Sequence, residues 1–135
     1  MANKIQARRR CLLVEDYGVR KPLELILRRV LPDSWELIVP EDAASLAEFI
    51  ADGKQVDLLL IDEDLSHWRS GLSWRSFAAE LSDLLTKQAR VFCISNEHGK
   101  NVQEMAEAFG RDVPYVGKEP RAIVVATQAA LPAFS

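Results

Sequence analysis

Glu15 and Asp16 close the apolar run Cys11-Leu12-Leu13-Val14, Asp62 closes Leu58-Leu59-Leu60-Ile61, Ser95 follows Val91-Phe92-Cys93-Ile94, and Lys118 comes shortly after Val113 to Val116. A short aliphatic run that stops at acids has the pattern of a buried strand whose end opens onto water. Single polar residues at strand ends are common. Three carboxylates, a hydroxyl and an ammonium, spread over four such ends, are not. Carboxylates brought together repel one another and raise a pKa. A hard divalent cation relieves this, and magnesium suits it: it takes few protein oxygens and favours sites that also hold a phosphate. An aspartate can attack phosphorus to form an aspartyl-phosphate, with catalysis left to positioning and charge neutralisation. In that scheme Asp62 is the nucleophile, Asp16 binds Mg2+ directly and Glu15 holds it through water, while Ser95 and Lys118 each contact one phosphoryl oxygen.

Such a rim needs strands that end side by side. Strand-like runs occur at Cys11–Val14, Glu36–Val39, Leu58–Ile61, Val91–Ile94 and Val113–Val116, with helical patterns between them. The first helix places Leu23, Ile26, Leu27, Val30 and Leu31 on one stripe, with Pro22 in its first turn. The second starts at Asp42 as N-cap, buries Leu46, Phe49 and Ile50, and stops at Gly53. A third carries Trp74, Phe77, Ala78, Leu81, Leu84 and Leu85 on one core stripe, and a fourth, on Val102, Met105, Ala106 and Phe109, ends at Gly110. The last, Arg121 to Leu131, is apolar nearly all round and asks for burial on two sides; Pro132 stops it. Alternation of this kind predicts an α/β/α three-layer sandwich on a parallel sheet, with ligands at the carboxyl ends of the strands.

The composition bounds the rest. A length of 135 residues with 48% apolar content predicts one domain, residues 11–135, behind an N-terminal arm, 1–10. The net charge of −3 leaves no footprint for nucleic acid, and Lys4 with Arg8-Arg9-Arg10 reads as a solvated arm. No apolar run reaches signal-peptide or membrane-spanning length, so a soluble, cytoplasmic protein without membrane contact is expected. Cys11 and Cys93 lie inside strand runs without metal-ligand spacing, which predicts buried free thiols.

VED at 14–16, DLLLID at 57–62, VFCIS at 91–95 and YVGK at 115–118, in this order, resemble the receiver domain of two-component response regulators, from Cys11 to about Leu131. The resemblance implies a flavodoxin-like sandwich with a five-stranded parallel sheet in the order 2-1-3-4-5. It implies phosphorylation of Asp62 by a histidine kinase or a histidine phosphotransfer protein, with Mg2+ as cofactor and the backbone carbonyl of Asp64 as a further metal ligand. It also implies a switch through Ser95 and Tyr115 that alters the surface of the fourth and fifth helices for a downstream protein target. Beyond self-catalysed transfer to Asp62 and slow autodephosphorylation, no dedicated enzyme is expected.

Three departures bear on this. Ser66 stands where the family usually has Pro, and Gly71 comes one residue late, so the loop Ser66-His67-Trp68-Arg69-Ser70 takes its own path and either presents or half-packs Trp68. Glu119 separates Lys118 from Pro120; a cis bond without Pro costs about 3 kcal/mol, so a trans 118–119 peptide is predicted. Asn96 follows Ser95 where a small residue is usual, narrowing phosphoryl access, and His67 and His98 read as surface loop residues. Two other functions compete. One is a degenerate receiver that binds partners without phosphorylation. The other is an aspartate-nucleophile phosphatase of the haloacid dehalogenase type, with Asp62 as nucleophile and Asp64 as acid, disfavoured because an acidic strand precedes Asp62 and no acidic motif follows Lys118. The apolar last helix also suggests a homodimer or partner contact through Arg121 to Leu131.

Overall fold

The structure is a computed structural model and describes residues 8–95 and 99–134. The expectations for Lys4, Asn96 and His98 lie outside the described residues. The elements are β1 (Arg9–Val14), α1 (Arg20–Val30), β2 (Trp35–Ile38), α2 (Ala43–Asp52), β3 (Val56–Asp62), α3 (Ala78–Leu84), β4 (Leu85–Ile94), α4 (Val102–Phe109), β5 (Tyr115–Val116) and α5 (Pro120–Ala130). Single 3-10 segments cover Trp74–Ser76 and Leu131–Phe134. The five strands form one parallel sheet in the order β2-β1-β3-β4-β5, as expected.

Side chains alternate across a strand, and here the alternation divides two apolar layers. Leu12, Val14, Leu59, Ile61 and Cys93 pack with Leu46, Trp74, Leu81 and Phe109 beneath α2, α3 and α4. Cys11, Leu13, Leu58, Leu60 and Ile94 pack with Leu23, Leu27 and Ile123 beneath α1 and α5. Every residue of β3 is buried, as a central strand covered on both faces requires. Both cysteines are buried and free. Trp74, 2% exposed, is core rather than a ligand platform. Trp74→Ala is expected to cost about 3–5 kcal/mol in urea denaturation.

α2 forms as its sequence dictates: the Asp42 carboxylate accepts from the Ser45 N–H at 2.7 Å, and Gly53 closes the helix at φ 70°. The third helix does not. Ser73 Oγ accepts from the Arg75 N–H and Ser76 Oγ accepts from the Ser73 N–H, closing one 3-10 turn that ends at Phe77. α3 starts afresh at Ala78, and Leu85, expected on its stripe, has extended backbone and pairs with Val56 as the first residue of β4. The first half of β4 is largely solvent-facing, so only its buried end was visible as an apolar run. β5 is shorter than expected because its ladder begins after Pro114, whose carbonyl accepts from the Cys93 N–H at 2.9 Å.

The arginines expected on a solvated arm are partly knitted into the sheet. Arg9 and Arg10 belong to β1; Arg10 Nε donates to Glu36 at 3.0 Å. Buried Asp57 accepts from the Arg10 N–H and from Thr86 Oγ1, each at 3.0 Å. α5 buries Ile123, Thr127 and Ala130 against the sheet and α1, while Arg121, Val125, Gln128 and Ala129 face outward. Apolar character all round thus meets burial on one side only. Pro132 does not end the helical path outright, because the 3-10 turn Leu131–Phe134 carries it on and sets Phe134 edge-on to Trp35.

Candidate functional site

Parallel register sets Val14 beside Ile61 and Asp62 beside Ile94, so β1, β3 and β4 finish on one rim. Glu15, Asp16, Asp62 and Ser95 all sit there and all are buried. One oxygen from each of Glu15, Asp16 and Asp62 lies within 4.8 Å of the other two. Beyond β5, Lys118 reaches back with its Nζ 2.8 Å from Glu15 Oε1 and 3.0 Å from Asp62 Oδ2. These residues line a cleft of ≈ 420 Å³, together with Tyr17, Gly18, Val19, Asp64 and His67.

One ammonium faces three carboxylates, so negative charge is in excess. Burial, and then the charge of Asp62, push the Glu15 carboxyl up to about 7 despite its contact with Lys118. Burial also raises Asp62, against the pull of Lys118. For Lys118 burial acts downward, but contact with Glu15 and Asp62 outweighs it and the ammonium is strengthened. This donor set, all carboxylate oxygen with surplus charge and open to a cleft, fits a hard divalent cation.

Tyr115 donates its hydroxyl to the Ser95 carbonyl at 2.9 Å and is 37% exposed, so the two residues expected to form a switch are in contact. Its ring rests against Gly99, where an added Cβ would come within 2.7 Å of Tyr115 Cβ at a φ of +69°. The 118–119 peptide is trans, as predicted, and Pro120 takes the first turn of α5. Trp68 is half-buried against the core, the blander of its two expected placements. The Ser66 side chain, and then the Ser66 N–H from which the Asp64 carboxylate accepts at 2.8 Å, hold this carboxyl below the usual carboxylate range. A group kept ionised in this way is a poor general acid, which counts against the phosphatase alternative.

Two side chains matter here that sequence reasoning passed over. Glu63, between Asp62 and Asp64, is buried rather than solvated: its Oε2 accepts from both the backbone and the side-chain N–H groups of Asn101, at the start of α4. Asn101 Oδ1 accepts in turn from Arg75, which pairs with Glu104 and lies over the Trp74 ring at 4.8 Å. Strand alternation, continued one residue past Asp62, would have pointed Glu63 to this side of the sheet. Asn101→Ala is expected to cost about 1–3 kcal/mol in urea denaturation, since it strips a donor from a buried carboxylate. His67 is a surface residue, as expected, with its side chain 58% exposed, yet it also contacts Asp16 across 51 residues of chain, and no local signal announces that contact.

No protein-family model and no curated protein sequence matches the chain. Solved structures do. A response regulator receiver protein from Burkholderia phymatum superposes with a TM-score of 0.65 at 16% identity, covering 93% of this chain and 96% of that one. The Mn2+-bound form of the response regulator Rcp1 gives a TM-score of 0.62 at 20% identity, covering 93% of each. A fusion carrying a yeast Spc42 trimeric coiled-coil segment gives 0.67 at 17%, over 97% of this chain and 82% of that one. At such identities the likeness is one of fold, and with the sheet order it establishes this chain as a flavodoxin-like domain with the fold of response regulator receivers.

Proposed function

We propose that this chain is a phosphoacceptor receiver that takes a phosphoryl group on Asp62 and signals through protein contacts. The observation that carries this reading is the placement of Asp62 at the rigid end of a fully buried strand, 3.0 Å from the Lys118 ammonium and clustered with Glu15 and Asp16. One Asp62 oxygen forms a bond to phosphorus while the bond from phosphorus to the donor's nitrogen or oxygen breaks, its electron pair leaving with the donor. Lys118 and Ser95 then offer an ammonium and a hydroxyl to the phosphoryl oxygens, and burial excludes bulk water from the acyl phosphate.

Asp16, Asp62 and the Asp64 carbonyl would hold Mg2+, with Glu15 binding it through water. The cation would neutralise charge between carboxylates and phosphate. A histidine kinase or a histidine phosphotransfer protein is the donor that suits this chemistry, and a downstream protein the reader. Tyr115 and Ser95 would carry the change to the α4 and α5 surface. The outward strip of α5 around Val125, 60% exposed, is the part open to a partner or a second copy. Light scattering with and without a phosphoryl analogue tests the dimer, which monomeric behaviour in both would exclude.

The test of the main reading is intact mass after incubation with a small phosphodonor such as acetyl phosphate, with Mg2+ or with a chelator. A single adduct that needs Mg2+ supports a working receiver. No adduct, where a control receiver is labelled, would leave the phosphorylation-independent binding module as the better reading.

A further inference from the structure

The rim carries a contact that the phosphoacceptor scheme does not use. Asp16 Oδ2 receives two donors from His67: the backbone N–H at 2.8 Å and the ring Nδ1 at 3.2 Å. Both bonds fall on the same oxygen, so among the described residues Asp16 Oδ1 is left without a protein hydrogen bond. The His67 ring is itself held. It stacks on Tyr17 with centroids 4.6 Å apart and planes 9° from parallel. Tyr17 is the next residue after Asp16, and its N–H faces Glu15 Oε2 at 3.4 Å. Three consecutive residues after β1 and one residue of the loop after β3 thus form a closed strap over the acidic cluster.

We propose that His67 is a positioning residue for the divalent cation of this site: it fixes the Asp16 carboxylate so that Oδ1 is presented to the ion, and Tyr17 fixes His67. This rests on the reading of the rim as a divalent site. A ring bond to Oδ2 needs hydrogen on Nδ1, the donor position facing this carboxylate. A carboxylate that can turn freely must be ordered each time an ion binds, and partners of this kind typically change metal affinity by 10–100-fold. The carboxylate here is already buried, so the strap orders what burial alone leaves able to rotate.

The test measures Mg2+ and Mn2+ dissociation constants by calorimetry on the wild-type chain and on His67→Ala, His67→Asn and Tyr17→Ala. Asn offers a side-chain N–H close to where Nδ1 stands. The expected result is a roughly 10-fold or greater weakening in His67→Ala, largely restored in His67→Asn, and a smaller weakening in Tyr17→Ala, with metal-free melting temperatures close to wild type. A merely structural role would instead lower the metal-free melting temperature and would not be rescued by Asn. Wild-type affinity in His67→Ala, or equal loss in His67→Ala and His67→Asn, overturns the proposal while leaving the divalent site standing. Failure of the wild-type chain to bind either cation overturns both.

Discussion

Asp62→Asn is expected to abolish phosphoryl acceptance, with the mass adduct seen on the wild-type chain in Mg2+ and acetyl phosphate absent from the variant. The amide has no anionic oxygen to attack phosphorus, while its size and its place at the end of β3 are unchanged. The loss should therefore be complete rather than graded, and no other carboxylate should take over. Glu15 and Asp16 follow the end of β1 rather than the strand that aims Asp62, and Asp16 is held by His67. An adduct that persists in Asp62→Asn would place the acceptor elsewhere and refute the assignment. The same substitution removes one of three clustered charges. It should relieve Glu15, whose carboxyl is raised first by burial and then by the Asp62 charge.

The second large effect is on stability against pH in the metal-free protein. The Glu15 carboxyl moves from 4.5 to about 7 on folding, so between those values the folded state holds a proton that the unfolded chain has lost. Stability is then greatest at the low end of this window and falls as pH rises through it. Asp62, also raised by burial, acts in the same direction. The ceiling for Glu15 is about 3 kcal/mol at 1.36 kcal/mol per unit, with the opposing pull of the Lys118 contact already included in the shift. Urea denaturation in chelator should therefore give a higher midpoint near about pH 5.5, inside this window, than near about pH 7.5, above it. Saturating Mg2+ should flatten or reverse the slope, because the ion competes with the proton for the same oxygens. A metal-free midpoint that rises with pH would show that the cluster is not under charge stress.

Much of this was legible in the chain itself. Five aliphatic runs separated by helical stripes specify a parallel α/β sheet, because period and length are local properties and right-handed crossovers leave few windings. Acids and a lysine at the run ends then fall on one rim by register alone, which is why Glu15, Asp16, Asp62, Ser95 and Lys118 come together as expected. The caps of α2 were equally local, since Asp42 and Gly53 act within one turn of where they stand.

Tertiary structure decided what depends on partners far along the chain. Leu85 left the third helix for β4 because Val56 offered it a ladder position, and a stripe pattern cannot weigh that offer. Arg10 lost its place on a solvated arm to Glu36. Glu63 turned inward because Asn101 supplied two donors, 38 residues away. His67 reached Asp16 over a still longer separation, through a loop whose departure from the family pattern was visible but whose path was not. Apolar periodicity reports which face of an element is buried; which polar groups meet across the rim is settled only when the packed layers bring their ends together and each buried charge must find a partner.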